Sequence, residues 1–224
     1  MSKLLASVKN LEEALIALRQ KVDIIDLKAP EFGALGALNL SLVREIVQSL
    51  QGKCLISATI GDLPMQSTLL AEHISNMAKT EVDYIKIGFF PSDHWLDICH
   101  HLKIFSDKNA LIAVLFADMQ PCLDIIPQLK MAGFKGVMLD TMDKTKGSLM
   151  QVMPIEQIET FVQVAKDNAL LCGLAGSLRI EDASSLQSLN ADYLGFRSAL
   201  CHHHQRTAEL DPSALAHLRA IVTD

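Results

Sequence analysis

Apolar residues recur along the chain in short, β-branched runs, and each run is followed by a longer stretch with helical spacing. The runs fall at 4–8, 22–28, 55–60, 84–89, 111–118, 136–141, 170–177 and 193–198. Amphipathic stretches follow them in turn at 10–20, 40–50, 67–79, 92–105, 122–132, 154–168, 179–189 and 211–222. Several carry start signals: Asn10 with Glu13 three residues on, Pro154 in a first turn, and Asp211 before Pro212. Alternation repeated eight times, with no linker or low-complexity segment, predicts one α/β domain over 1–224, a single (β/α)8 TIM barrel. An open doubly wound sheet usually carries a glycine fingerprint after its first strand, and none stands here.

Alternation inside the strands sets the faces. Ile25 and Leu27 oppose Asp26 and Lys28; Ile85, Ile87 and Phe89 oppose Tyr84, Lys86 and Gly88. Val137 and Leu139 oppose Met138 and Asp140, while Leu194 and Phe196 oppose Tyr193, Gly195 and Arg197. The uniformly apolar face must meet the helices, so the mixed face points into the barrel. Alternate strands fill the same interior layer. Lys28, Lys86, Asp140 and Arg197 are therefore expected to converge near the C-terminal mouth.

Half of the chain is hydrophobic and only 5% aromatic, which suits an aliphatic core. A net charge of −6 without a basic stripe argues against nucleic acid, though a local basic cluster can still hold a phosphorylated substrate. The five cysteines are scattered and unpaired in spacing, so neither a disulfide framework nor a zinc ribbon is expected. The first residues lack a signal-peptide core, and no run approaches a membrane span. A cytoplasmic protein is expected, with no nucleic-acid or membrane partner. Aliphatic outer helices such as 154–168 leave room for a homo-oligomer.

Lysines on strands are the candidate chemistry. Burying an ammonium without a partner is costly. Two amines a few ångströms apart repel, so at least one loses its proton more readily than the free value near ~10. A neutral lysine attacks a carbonyl to form an imine, and a second amine can then move protons. A structural ion pair of Lys28 with Asp26 is the plainer alternative. Gly176 and Ser177 at the end of the seventh strand, leading into a helix, with Gly195, Arg197 and Ser198 on the eighth, occupy the common phosphate cradle of this fold. There Arg197 would add a bidentate contact. Asp62, Asp118 and Asp140 stand at the mouth without a neighbouring His or Cys, and His202, His203 and His204 are adjacent on one loop; no metal is expected. Gly33, Gly36 and Gly61 suggest mobile loops at the mouth, with Glu31 and Leu35 of unassigned role.

The segments Leu4-Leu-Ala-Ser-Val, Asp23-Ile-Ile-Asp-Leu-Lys-Ala-Pro, Gly33-Ala-Leu-Gly-Ala, Ser57-Ala-Thr-Ile-Gly-Asp, Asp83-Tyr-Ile-Lys-Ile-Gly, Met138-Leu-Asp-Thr, Leu174-Ala-Gly-Ser and Gly195-Phe-Arg form an ordered set. In that order they resemble the (5-formylfuran-3-yl)methyl phosphate synthases of methanofuran biosynthesis, from about residue 4 to the final helix. The resemblance implies a lyase that condenses two glyceraldehyde 3-phosphate molecules into a furan aldehyde bearing one phosphomethyl group. It implies Lys28 as the Schiff-base lysine, Lys86 as the proton acceptor and donor, and Asp26, Asp140 and Lys144 in support. Lys146 is the alternative to Lys144, and no cofactor is implied. The other readings are a class I aldolase-type barrel acting on another phosphorylated sugar, and a barrel that binds a phosphometabolite without chemistry.

Overall fold

The computed structural model describes residues 2–223. Its eight strands are β1 (Lys3–Val8), β2 (Ile24–Leu27), β3 (Leu55–Thr59), β4 (Tyr84–Phe89), β5 (Leu111–Phe116), β6 (Gly136–Asp140), β7 (Leu171–Leu174) and β8 (Tyr193–Phe196). All neighbours pair in parallel, and β8 returns to β1 through Lys3 opposite Tyr193 and Ala6 opposite Phe196, closing the barrel. The helices are α1 (Leu11–Arg19), α2 (Leu40–Leu50), α3 (Ser67–Ala78), α4 (Trp95–Ser106), α5 (Ile125–Met131), α6 (Leu149–Val152), α7 (Ile155–Asp167), α8 (Asp182–Gln187) and α9 (Pro212–Thr223). None of these helices is long and apolar enough to cross a membrane.

The expected start signals act as caps. The Asn10 side chain accepts from the Glu13 N–H at 2.9 Å, and the Asp211 carboxylate accepts from the Ser213 N–H at 2.8 Å. Two apolar clusters separate the layers. The larger lies between strands and helices and takes Ile25, Leu27, Ile85, Ile87, Val137, Leu139, Leu194 and Phe196. The smaller fills the barrel interior with Leu5, Ile24, Ile112, Val114, Phe116, Met138 and Tyr193. The faces inferred from period-two alternation are those observed.

Strand ends differ from expectation where the chain must turn at the mouth. β7 stops at Leu174 because Gly176 (φ 111°) and Ser177 (φ 47°) leave extended geometry. β5 gives way after Phe116 to a 3-10 turn at Ala117–Met119. The seventh helical stretch shrinks to α8, which begins at Asp182, so no helix N-terminus sits at Ser177. α6 was not expected; Ser148 and Gln151 build a capping box that starts it.

Candidate active site

Asp26 and Lys28 leave β2 on its inward face, and Lys86 does the same from β4. Asp140 ends β6, and Lys144 opens a 3-10 turn at Lys144–Lys146. All of the first four are buried; Lys28 is 6% exposed and Lys86 2%. Each strand lysine has a different carboxylate. Lys86 Nζ donates to Asp26 at 3.0 Å, and Lys28 Nζ lies 3.7 Å from Asp140. Asp26 also accepts from the Ser7 hydroxyl at 2.8 Å and the Ser57 hydroxyl at 2.7 Å. The Lys144 amine donates to Asp140 at 2.5 Å and to the Thr141 carbonyl. Lys146 instead points outward, half-exposed and 4.0 Å from Asp118. The pairing of Lys28 with Asp26 considered from sequence gives way to a crossed arrangement, because β4 brings Lys86 closer to that carboxylate.

The electrostatics follow from burial. Desolvation pulls the Lys28 amine down to about 8; Asp140 and Asp26 oppose this, and Lys144 and Lys86 add to it. Burial raises the Asp26 carboxyl, but Lys86, Lys28 and the Ser57 hydroxyl outweigh it, and the net shift is downward. Asp140 behaves likewise: burial opposes ionisation, while Lys144 and Lys28 hold it well below the usual carboxylate range.

Two spaces meet at the mouth. The inner one, about 30 Å³, is walled by Lys28, Lys86, Asp140, Gly176 and Gly195. That is room for roughly one water. The outer chamber, about 670 Å³, is lined by Gly147, Ser148, Arg179 and His204. Lys144, Ser177, Ser198 and Arg206 border both. The inner space beside Lys28 therefore adjoins the outer chamber.

A family model described as 4-HFC-P synthase matches residues 4–219. The chain belongs to that family. A protein of Methylorubrum extorquens is 39% identical over 214 residues, spanning 96% of this chain and 89% of its own. A (5-formylfuran-3-yl)methyl phosphate synthase of Archaeoglobus fulgidus is 33% identical over 214 residues, covering 89% and 90% respectively. Among solved structures, phosphoribosyl anthranilate isomerase of Thermus thermophilus superposes with a TM-score of 0.69 at 12% identity, covering 99% of this chain and 98% of that one. The 3-hexulose-6-phosphate synthase of Salmonella typhimurium gives 0.68 at 14% identity, covering 98% and 99%. At such identities the structures speak for the barrel alone.

In this 4-HFC-P synthase family member, Arg197 is not free for phosphate. Its Nη1 donates to Glu13 at 2.5 Å and to the Ser7 carbonyl at 3.1 Å; Nη2 donates to Glu13 at 3.2 Å and to the Ala208 carbonyl at 2.9 Å. Nε donates to the Arg206 carbonyl at 2.8 Å, and so all five N–H groups are taken by protein. The expected bidentate phosphate contact is corrected on that ground. Gly176, Ser177, Gly195 and Ser198 do line the inner space. At Gly176 a side chain would meet Thr141 at 2.9 Å, so only glycine brings that backbone to the mouth.

Sequence reasoning missed three residues. Ser7 and Ser57 carry no assigned role from sequence, although both hydroxyls donate to Asp26. Arg206 sits in a loop with no periodicity to mark it, and donates from Nη2 to the Gly33 carbonyl at 2.8 Å. The loop expected to be mobile around Gly33 is also tied by Asp62, which accepts from the Ala34 N–H at 2.8 Å and the Leu35 N–H at 2.9 Å. Leu35 is fully buried beneath it, and the three histidines are exposed on a turn at His202–His204.

Proposed function

We propose that this family member condenses two glyceraldehyde 3-phosphate molecules into (5-formylfuran-3-yl)methyl phosphate through an imine on Lys28, in methanofuran (or analogue) biosynthesis. The balance is one phosphate and two waters lost, with no net oxidation, so the scheme asks for neither a redox cofactor nor a metal. The supporting observation is the pair of buried lysines at the mouth, each facing its own carboxylate, with the Lys28 amine lowered to about 8. At neutral pH that leaves roughly one-tenth of Lys28 neutral.

The neutral amine adds to the carbonyl carbon of the first triose, and water leaves to form the C=N bond. The Lys86 ammonium gives a proton to the hydroxyl that leaves as water during imine formation. Its neutral amine then takes the adjacent carbon-bound proton, and the imine accepts the released electron pair to give an enamine. The enamine expels the phosphate of the first triose, and its terminal carbon attacks the C2 carbonyl of the second triose in its ketose form, that C=O becoming a hydroxyl. The second triose's free terminal hydroxyl closes the ring on the C2 carbonyl of the first. Two waters leave to form the furan, and hydrolysis of the C=N bond frees the aldehyde and Lys28. Asp26 fixes Lys86 through its 3.0 Å contact, and Asp140 holds Lys144 at the entrance. Gly176, Ser177, Gly195 and Ser198 supply small residues and hydroxyls beside the retained phosphate. Holding two reactants in line lowers the barrier by about 7 kcal/mol or more. The free thiols suit a reducing cytoplasm.

Borohydride trapping with glyceraldehyde 3-phosphate, read by peptide mass spectrometry alongside the ultraviolet spectrum, tests this. An adduct on Lys28 with a growing furan band is expected, and Lys28→Ala should abolish both. An adduct without the band would point to an aldolase, and full turnover by Lys28→Ala would overturn the imine.

A further inference from the structure

We infer that Arg206 is the phosphate-binding arginine of this site and that the buried Glu13–Arg197 pair positions it. Two arginines reach the mouth from the segment after β8, and the structure separates their roles. Arg197 spends all five donors on protein acceptors, one of them the Arg206 backbone carbonyl. Among the described residues Arg206 makes one side-chain hydrogen bond, to the Gly33 carbonyl, and forms no ion pair. Four of its donors are left for a ligand. It is half-buried and borders both the inner space and the outer chamber, the two places a substrate must cross. A partly desolvated guanidinium with an open fork binds phosphate more tightly than a solvated lysine.

The anchoring runs through the pair. Glu13 lies at the start of α1, where it also accepts from the Lys9 N–H at 2.9 Å. From there it holds Arg197 by two hydrogen bonds, and Arg197 grips the carbonyls of Arg206 and Ala208. The loop carrying Arg206 is thereby fastened to the first helix, and the Arg206 side chain bridges to the loop after β2. Arg197 borders the inner space, but all of its donors are held by protein; with Glu13 it sets where the Arg206 fork points.

This inference rests on the reading of the mouth as a triose phosphate site, but its test does not depend on catalysis. Inorganic phosphate binding, followed by 31P NMR titration, is measured for the wild type, Arg206→Gln, Glu13→Gln and the double variant. Arg206→Gln should weaken phosphate about tenfold or more, and Glu13→Gln several-fold at temperatures where it stays folded. Because both act through one guanidinium, the double variant should bind about as weakly as Arg206→Gln alone, a non-additivity that a merely structural loss would not produce. Arg206→Lys should recover only part, having no fork. In turnover, KM for glyceraldehyde 3-phosphate should rise more than kcat falls. Unchanged phosphate affinity in Arg206→Gln overturns the assignment, and additive effects overturn the positioning role. If phosphate binding behaves as stated but Lys28 traps no aldehyde, the subsite stands and the imine chemistry falls.

Discussion

Desolvation, rather than a neighbouring cation alone, lowers the Lys28 amine. Its largest influence is burial, and Asp140 works against it by favouring the ammonium. The sign has a kinetic consequence. If the neutral amine is the attacking form, imine formation rises with pH and levels off above about 8. In Asp140→Asn the attraction that raises the amine is gone, so the acidic limb should move to lower pH even if the maximal rate drops. Rates of adduct formation between pH 5 and 10 in both proteins check this; a limb that moves upward would reverse the assigned electrostatics. Stability carries the same shift. Between about 8 and the ordinary lysine value of 10.5 the unfolded chain holds more of this proton than the folded one, so stability rises with pH across that window.

Elements of the barrel divide their labour between two rims. At the N-terminal rim an aspartate precedes β2, β4 and β8, and each accepts from the strand before it. Asp23 takes the Leu4 N–H, Asp83 the Ile56 N–H at 2.7 Å and Asp192 the Cys172 N–H at 2.7 Å. These clamps satisfy strand donors at the end where such barrels keep stability, opposite the site. Asp192→Ala should therefore lower unfolding free energy by about 1–3 kcal/mol, the cost of an orphaned N–H, and leave kcat unchanged. Urea unfolding together with steady-state rates decides it; a large loss of kcat in a folded variant would contradict the division. The same rims explain what could be read beforehand. Period-two alternation placed Asp26, Lys28, Lys86 and Asp140 inward because one slip of register would have put them among the helices. Their partners were less legible. Arg197 was rightly placed near the mouth, but its acceptor Glu13 lies 184 residues away on α1, and only the closed fold brings them together. Strand ends escaped for a local reason: Gly176 and Ser177 turn the chain by positive φ, which hydrophobic spacing does not record. At Gly33 (φ 105°) a side chain would collide with the Asp62 carboxylate, a contact between two loops that no local pattern announces.

Across the whole molecule, the barrel encloses a set of charges that it must keep balanced. Asp26 and Asp140 face Lys28, Lys86 and Lys144, and the lowered Lys28 brings the sum nearer neutrality. A closed aliphatic barrel offers these groups little water, so each depends on its partner more than a surface pair does. Asp26 is fully buried and joins three strands through Ser7, Ser57 and Lys86. The Ser7 and Ser57 hydroxyls donate to different oxygens of Asp26, so Asp26→Asn keeps an acceptor for one of them, leaves the Lys86 ammonium uncompensated, and should cost about 3–5 kcal/mol. Adding Lys86→Met removes the stranded charge and should recover most of that loss, giving a stable and inactive barrel. Denaturant midpoints for both single variants and the double variant measure the coupling directly. If Asp26→Asn costs less than about 1 kcal/mol, or the double variant is no more stable than Asp26→Asn, the interior is better hydrated than its burial implies. In that case the desolvation that lowers Lys28 loses its basis too, so stability and chemistry in this barrel stand or fall on the same dry interior.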